Sequence, residues 1–350
     1  MDNLTHALSG ALIARATAPP QVPGVTIPLG RRIALGVIAA SLPDLDFVVS
    51  WFSPLSYLYH HRGITHSFVM LPMWSLVFAW LCAKLWRGGP GWRAYFGVFA
   101  WGIGIHIVGD WITAFGTMLL EPLSDRRFAL STTFIIDLWL LAVLLAGTLA
   151  SIVWRRSRMP AIAALVGVTG YVALQGWQHH NAIEFGEQYA RAEGMRAAKV
   201  SALPRPASPY NWMVVVEDGD RIDYAQVRLT PRPALLSGLG SAFIDRLAAP
   251  YEAMHEANWT RTARFGEAAV EPVARAAFGA PELGFFRWFA AVPALYRVDR
   301  GNPSTCVWFQ DLRFITPGRD VTPFRYGVCR ENEGAWIPFE LDGDVPAPVR

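Results

Sequence analysis

The stretch Leu42-Pro43-Asp44-Leu45-Asp46, followed by His60-His61-Arg62-Gly63-Ile64-Thr65-His66, puts two carboxylates and three imidazoles inside sequence apolar enough to enter a membrane. A carboxylate at bilayer depth costs about 2.5 to 3.5 kcal/mol on insertion scales, so an acid retained there points to a function and to a partner. For this set of side chains the obvious partner is a metal ion. A second cluster, His106-Ile107-Val108-Gly109-Asp110, recurs further on in another apolar segment.

Outward from these clusters, residues 33–178 hold segments of about 18 or more mainly apolar residues, the length that crosses ~30 Å of hydrocarbon as a helix. They are placed at 33–52, 64–86, 94–120, 134–154 and 160–177. The expected fold is an all-α membrane domain over residues 1–180, with about five transmembrane helices and a short N-terminal helix. A soluble α+β domain over 181–350 follows it. Residues 1–18 carry Asp2 and His6 and lack the basic start and unbroken apolar core of a cleavable signal.

Basic residues in short loops predict the orientation. If the spans alternate, Arg31, Arg32, Lys84, Arg87, Arg93, Arg155, Arg156 and Arg158 share one side, against Arg62, Arg126 and Arg127 on the other. The richer side is expected to be cytoplasmic, which sends the C-terminal domain to the periplasmic face of a bacterial inner membrane. A net charge of +3, without a basic tract interleaved with aromatics, gives no reason to expect a nucleic-acid partner. Of the three cysteines, Cys82 lies in a span, while Cys306 and Cys329 could pair if their domain is exported.

Along the chain, Leu4, Ala7, Leu8, Ala11 and Leu12 have helical spacing and carry His6 on a helix too short to span. Pro43 interrupts the first span, and Ser41 can cap the restart with Asp44 in its first turn; that leaves Asp46 without an account. A turn at Gly63 can aim His61 and His66 at one point. His106 and Asp110 share a helical face, flanked by Gly102, Gly104 and Gly109, which permit close packing. Asp137 reads equally as a helix start or a site acid, and His179, His180 and Glu184 read as hydrated interface residues.

Beyond Glu184 the sequence predicts a polar helix over 184–200, a Pro-rich linker over 203–209, and a hairpin of 213–216 with 222–229 around Asp218-Gly219. A helical middle over 242–277, with Asp245, Glu252 and His255, precedes strands at 285–298, 306–315, 324–329 and 336–341. No repeat, Gly-rich phosphate loop or serine-nucleophile elbow is present.

Imidazole and carboxylate suit Zn²⁺, with Mn²⁺ and Fe²⁺ as alternatives. His6, Asp44, Asp46, His61, His66, His106 and Asp110 exceed the needs of one tetrahedral ion, so two or three ions with bridging carboxylates are expected. Such a cluster acidifies water and clamps a phosphoryl group in line.

Thr5-His6-Ala7-Leu8, Leu42-Pro43-Asp44-Leu45-Asp46, His61-Arg62-Gly63-Ile64-Thr65-His66-Ser67 and His106-Ile107-Val108-Gly109-Asp110, in this order and at these intervals, resemble the membrane-bound metal-dependent hydrolase family of bacterial inner membranes. That family is distantly similar to zinc-dependent phospholipases C and zinc single-strand nucleases. The resemblance covers roughly residues 1–155. It implies a helical scaffold, a di- or trinuclear site and phosphodiester hydrolysis, with the seven residues above as ligands and Asp46, His66 and Asp110 as catalytic. His60 matches nothing. The soluble relatives carry further metal-binding histidines after their HxxxD, and here only His179 and His180 follow.

The expected function is an integral membrane metallohydrolase acting on a lipid or envelope phosphoester. The alternative is a non-catalytic membrane protein that passes a cation or proton through the His/Asp cluster and binds a partner with its soluble domain. A transporter needs polar groups along a route to both faces, and between Ala114 and Arg155 the spans offer few.

Overall fold

A computed structural model describes residues 1–87, 89–230, 250–301, 303–319 and 321–349. The chain forms two compact units, Met1–Trp177 and Gln178–Arg350. The helical N-terminal region and a β-rich C-terminal domain are both present.

The first unit contains α1 (Asn3–Ala16), α2 (Leu29–Ser41), α3 (Pro54–His60), α4 (Leu71–Leu85), α5 (Trp92–Trp111) and α6 (Leu138–Val153), and α7 (Met159–Ala192) begins in it. Asp2 caps α1, accepting from the Thr5 amide at 3.0 Å and the Thr5 hydroxyl at 2.6 Å. Small residues let α1, α2 and α5 approach closely. A Cβ on Gly10 would lie 2.3 Å from the Gly36 carbonyl oxygen, and one on Gly102 would lie 2.5 Å from the Ala39 Cβ. Gly104 has only an ordinary contact with Leu71, so the packing role expected of it belongs to Gly10 and Gly36 instead. Leu35, Ala39, Ala79, Tyr95, Phe99, Ile103 and Ile107 fill the core among α2, α4 and α5. Burying such side chains contributes about 25 cal/mol per Å² of apolar area.

The helix break at Pro43 is present, but its details differ. Ser41 does not cap; its hydroxyl donates back to the Val37 carbonyl at 3.0 Å. The chain runs directly into a 3-10 helix, Pro43–Trp51, bent 47° from α2. Proline supplies no amide at this start and excludes continuation of α2.

Among the described residues, one helix, α7, is long and apolar enough to cross a membrane alone. Two bent pairs reach that length only if each is one span: α2 with the 3-10 helix, and residues 55–66 with α4, bent 78°. α6 is apolar but has 16 residues, and α5 has 20. Hydropathy registers the apolar run and not the bend inside it, so the second segment, which reads as continuous, folds as a broken one, while the break in the first falls at the expected Pro43. Leu76, Trp80 and Leu81 on α4, Leu145 and Leu149 on α6, and Val166 on α7 are exposed large apolar residues.

In the second unit, β1 (Lys199–Pro204), β2 (Asn211–Asp218) and β3 (Arg221–Arg228) form an antiparallel run, with β4 (Glu252–Ala253) parallel and β5 (Trp259–Ala263) antiparallel to β3. The hairpin turns at Asp218-Gly219, where Gly219 takes φ +63°, a conformation that glycine adopts without steric cost. A second antiparallel sheet orders β6 (Pro293–Arg300), β7 (Ser304–Asp311), β8 (Tyr326–Glu331), β9 (Ile337–Asp342) and β10 (Val345–Pro348) consecutively. Cys306 and Cys329 face each other across β7 and β8 and form a disulfide.

Several expectations for this unit change. The polar helix over 184–200 is the end of α7, followed by β1; the linker over 203–209 begins inside β1. Glu252 and His255 lie in a strand and a 3-10 turn, not a helix; of the helical middle only α8 (Glu271–Gly279) is helical among the described residues, and Asp245 lies outside them. Residues 284–289 form α9 (Gly284–Phe289), where a strand was expected, because Phe285, Phe286 and Phe289 turn one helical face into the core.

Candidate metal centre

Four chain segments converge at one end of the helices of the first unit. The bend after α2 delivers Asp44 and Asp46 from the first turn of the 3-10 helix. A turn through Arg62, at φ +62°, and Gly63 delivers His61 and His66. α5 contributes His106 and Asp110 one turn apart, and α1 brings His6, whose ring stacks on His106 with centroids 3.7 Å apart. Gly109 makes room for it, since a Cβ there would lie 3.1 Å from His6 Cε1.

Asp44, His66, His106 and Asp110 each aim one donor atom at a common point. His66 Nε2 lies 3.0 Å from His106 Nε2, 3.4 Å from Asp44 Oδ1 and 3.3 Å from Asp110 Oδ2. His106 Nε2 lies 3.5 Å from Asp44 Oδ1 and 3.6 Å from Asp110 Oδ2. A Zn–N or Zn–O bond of about 2.0–2.1 Å gives a regular tetrahedron edges of about 3.3–3.4 Å. These five separations, 3.0 to 3.6 Å, bracket that length, and all four donor atoms lie within 4.8 Å of one another. The donor set can therefore hold one divalent ion.

The surrounding hydrogen bonds decide which nitrogens face the centre. His106 Nδ1 is 2.6 Å from the Ala40 carbonyl, which can only accept, so that nitrogen carries the proton and Nε2 keeps its lone pair. His66 Nδ1 lies 2.9 Å from Thr65 Oγ1 and 3.6 Å from Asp46 Oδ2. Asp110 Oδ2 is buried and accepts no hydrogen bond. Lone pairs and carboxylate oxygens packed this closely repel one another, and a cation among them removes that cost.

The remaining predicted residues adjoin this group. Asp46 accepts from the Arg62 amide at 3.1 Å and pairs with His61, whose Nδ1 is 3.0 Å from Oδ1. The His61 ring stacks on Tyr57 and lies 5.9 Å, centroid to centroid, from His66. His6 Nε2 is 3.3 Å from Asp110 Oδ1. His60 points away, its Nδ1 2.8 Å from the Ser56 carbonyl. Asp137 caps α6 through the Trp139 and Leu140 amides at 3.0 Å and accepts from Tyr171 at 2.8 Å, which is a structural role. His179 packs against Trp212 in the second unit.

Sequence reasoning missed Arg62, counting it as a loop charge. It is 2 % exposed, lies 2.9 Å from Asp110 Oδ1 and donates to Thr113 at 2.9 Å. The Met1 amino group contacts the same Asp110 oxygen. The available signal was the position of Arg62, between two histidines in apolar sequence. An apolar cleft of about 270 Å³ opens beside Asp46 and Thr65, walled by Leu42, Leu45, Phe78 and Ile103.

Comparison with known proteins supplies the family. The model of the YdjM inner membrane protein family matches residues 1–182, half of the chain and every residue of the centre. The chain belongs to the YdjM inner membrane protein family. It is 28 % identical over 182 residues to the uncharacterised protein YfhP of Bacillus subtilis (strain 168), which is 51 % of this chain and 52 % of that protein. The match thus spans about half the length of this relative. Neither description names an activity, so the likeness to hydrolases, phospholipases C and nucleases finds no counterpart in these matches. No solved structure matches. YdjM membership and the apolar α7 agree on membrane association.

Proposed function

We propose that this YdjM-family protein is a membrane metallohydrolase that cleaves a phosphoester of a lipid or envelope substrate. The observation that carries the reading is the close-set four-donor group with the Asp46–His61 pair beside it. Asp44, His66, His106 and Asp110 hold one divalent ion, with zinc the best match to the donors. Once bound, such an ion supplies Lewis acidity and a water acidic enough to ionise near neutrality. The pairing of Asp46 with His61 favours one ion over two or three, because those groups are turned toward each other.

Asp46 orients His61, so that the proton sits on Nδ1 and Nε2 is left as a base for the attacking water. Arg62 holds Asp110 Oδ1, leaving Oδ2 to face the other donors. The apolar cleft beside Asp46 gives a lipid substrate's hydrocarbon a place next to the reacting group. The five-segment, multi-pass arrangement with a periplasmic C-terminal domain belongs to the same proposal. The Cys306–Cys329 disulfide supports an oxidising compartment for that domain, and the burial of Arg62 removes one charge from the side counted as periplasmic.

The test is metal analysis of detergent-purified protein joined to a screen of phosphodiesters and phospholipids. Wild type should carry metal and hydrolyse at least one of them. His61→Ala should keep its metal and lose about 10²–10⁴-fold in rate, the usual contribution of a positioned base. Stoichiometric metal without hydrolysis, together with cation flux into liposomes, would refute the enzyme in favour of transport.

A further inference from the structure

At the other end of the helices from the metal centre, the surface of the first unit carries a second, open cavity of about 510 Å³, lined by Arg15, Gln21, Arg155, Arg156, Ser157 and Arg158 among others. Nine residues separate His6 from Arg15 along α1, which is about 13 Å at the helical rise. Among the described residues no Asp or Glu lines the cavity, so four arginines line it without a carboxylate.

Arg15 builds it. The side chain is 7 % exposed, and one of its terminal nitrogens donates to the carbonyls of Trp154, Arg155 and Ser157 at 3.1, 2.9 and 2.9 Å. These bonds gather the α6–α7 loop, which carries the three exposed arginines, while Ser157 Oγ accepts the Met159 amide at 3.1 Å at the start of α7. Arg15 Nε is buried and makes no hydrogen bond. The ends of α6 and α7 on either side expose Ile152, Val153, Trp154 and Met159, so the basic cavity has an apolar rim. An anionic head with an attached hydrocarbon chain matches both parts, and basic pockets between membrane helices bind such headgroups.

We propose that this cavity binds the phosphate headgroup of an anionic membrane lipid, at a site separate from the metal centre. A free phosphate offers the same charge, and the experiment separates the two sources. The full chain in mild detergent is given phosphatidylglycerol or phosphatidylcholine, and retained lipid is counted by native mass spectrometry. Phosphatidylglycerol should be retained in preference to phosphatidylcholine.

Each arginine near an anionic headgroup is worth about fivefold in binding, so Arg156→Gln with Arg158→Gln should weaken retention by about 30-fold. Because both side chains are exposed, the double variant should keep the wild-type unfolding temperature in phosphatidylcholine, so that loss of lipid is not loss of fold. Arg93→Gln, a basic change outside the cavity, should bind as wild type. Equal retention by wild type and the double variant would overturn the proposal, as would an equal loss in Arg93→Gln. Inorganic phosphate at millimolar concentration should not displace the lipid; displacement, with phosphate binding that needs the same arginines, would overturn the lipid assignment in favour of a soluble phosphate.

Discussion

Replacing Asp44 by Asn probes the candidate metal centre most directly, because it keeps the side chain's size and one oxygen while removing the charge and turning the second oxygen into an NH2 donor. Asp44 Oδ1 stands 3.4 and 3.5 Å from the two imidazole Nε2 atoms, so it supplies one vertex of the four-donor group. Groups that merely orient a ligand cost 10–100-fold in metal affinity when removed, about 1.4–2.7 kcal/mol. A vertex should cost more, so Asp44→Asn is expected to raise the zinc dissociation constant more than 100-fold. Thr65→Val removes the hydroxyl 2.9 Å from His66 Nδ1 but leaves Asp46 at 3.6 Å as a second acceptor, which puts its cost near tenfold. His60→Ala touches nothing in the centre and should change nothing. The assay is competition of purified protein against a fluorescent zinc chelator, with bound metal counted by mass spectrometry. Unchanged affinity in Asp44→Asn, or an effect of His60→Ala as large as that of Thr65→Val, would refute the assignment.

Three further outcomes are expected. Gly36→Leu places a side chain where a Cβ already meets the Gly10 carbonyl oxygen at 2.4 Å; it should destabilise by about 1–3 kcal/mol or more, seen as a lower unfolding temperature in detergent. Asp137→Ala removes a cap and the Tyr171 bond, costing about 1–2 kcal/mol while leaving metal content unchanged, which separates this acid from those of the centre. In the C-terminal domain, burial pushes the Asp223 carboxyl up, but hydrogen bonds from Arg221, Arg261 and Tyr189 outweigh it and hold it below the usual range. The stability it contributes is therefore fully present above about pH 4 and lost as pH falls through the depressed value; Asp223→Asn should flatten that acid limb in thermal unfolding followed by circular dichroism.

Much of the centre was legible in the chain itself, for a physical reason. Acids and imidazoles in apolar sequence cost free energy unless partnered, so Asp44, His66, His106 and Asp110 declared themselves by residue type. The i, i+4 spacing of His106 and Asp110 carries over directly into three dimensions, because both sit on one helix. The break at Pro43 and the hairpin at Asp218-Gly219 were equally readable, since proline and glycine act through their own backbones.

Tertiary structure decided which of the seven predicted ligands share a point and which pair with each other. His61 turns to Asp46, His6 reaches Asp110 where Gly109 leaves room for its ring and Gly10 and Gly36 let α1 lie against α2, and Arg62 is buried as the partner of Asp110 although its residue type reads as a loop charge. No local pattern encodes these outcomes, since each depends on residues brought from separate helices. The same holds in part for the spans: the sequence showed that the first half is apolar and that the chain breaks at Pro43, whereas the 78° bend before α4 emerged only in the folded chain. What the sequence by itself determined was the inventory of chemistry and its place in the apolar half; the geometry that makes four of those groups a candidate cation site came from helices meeting at small residues.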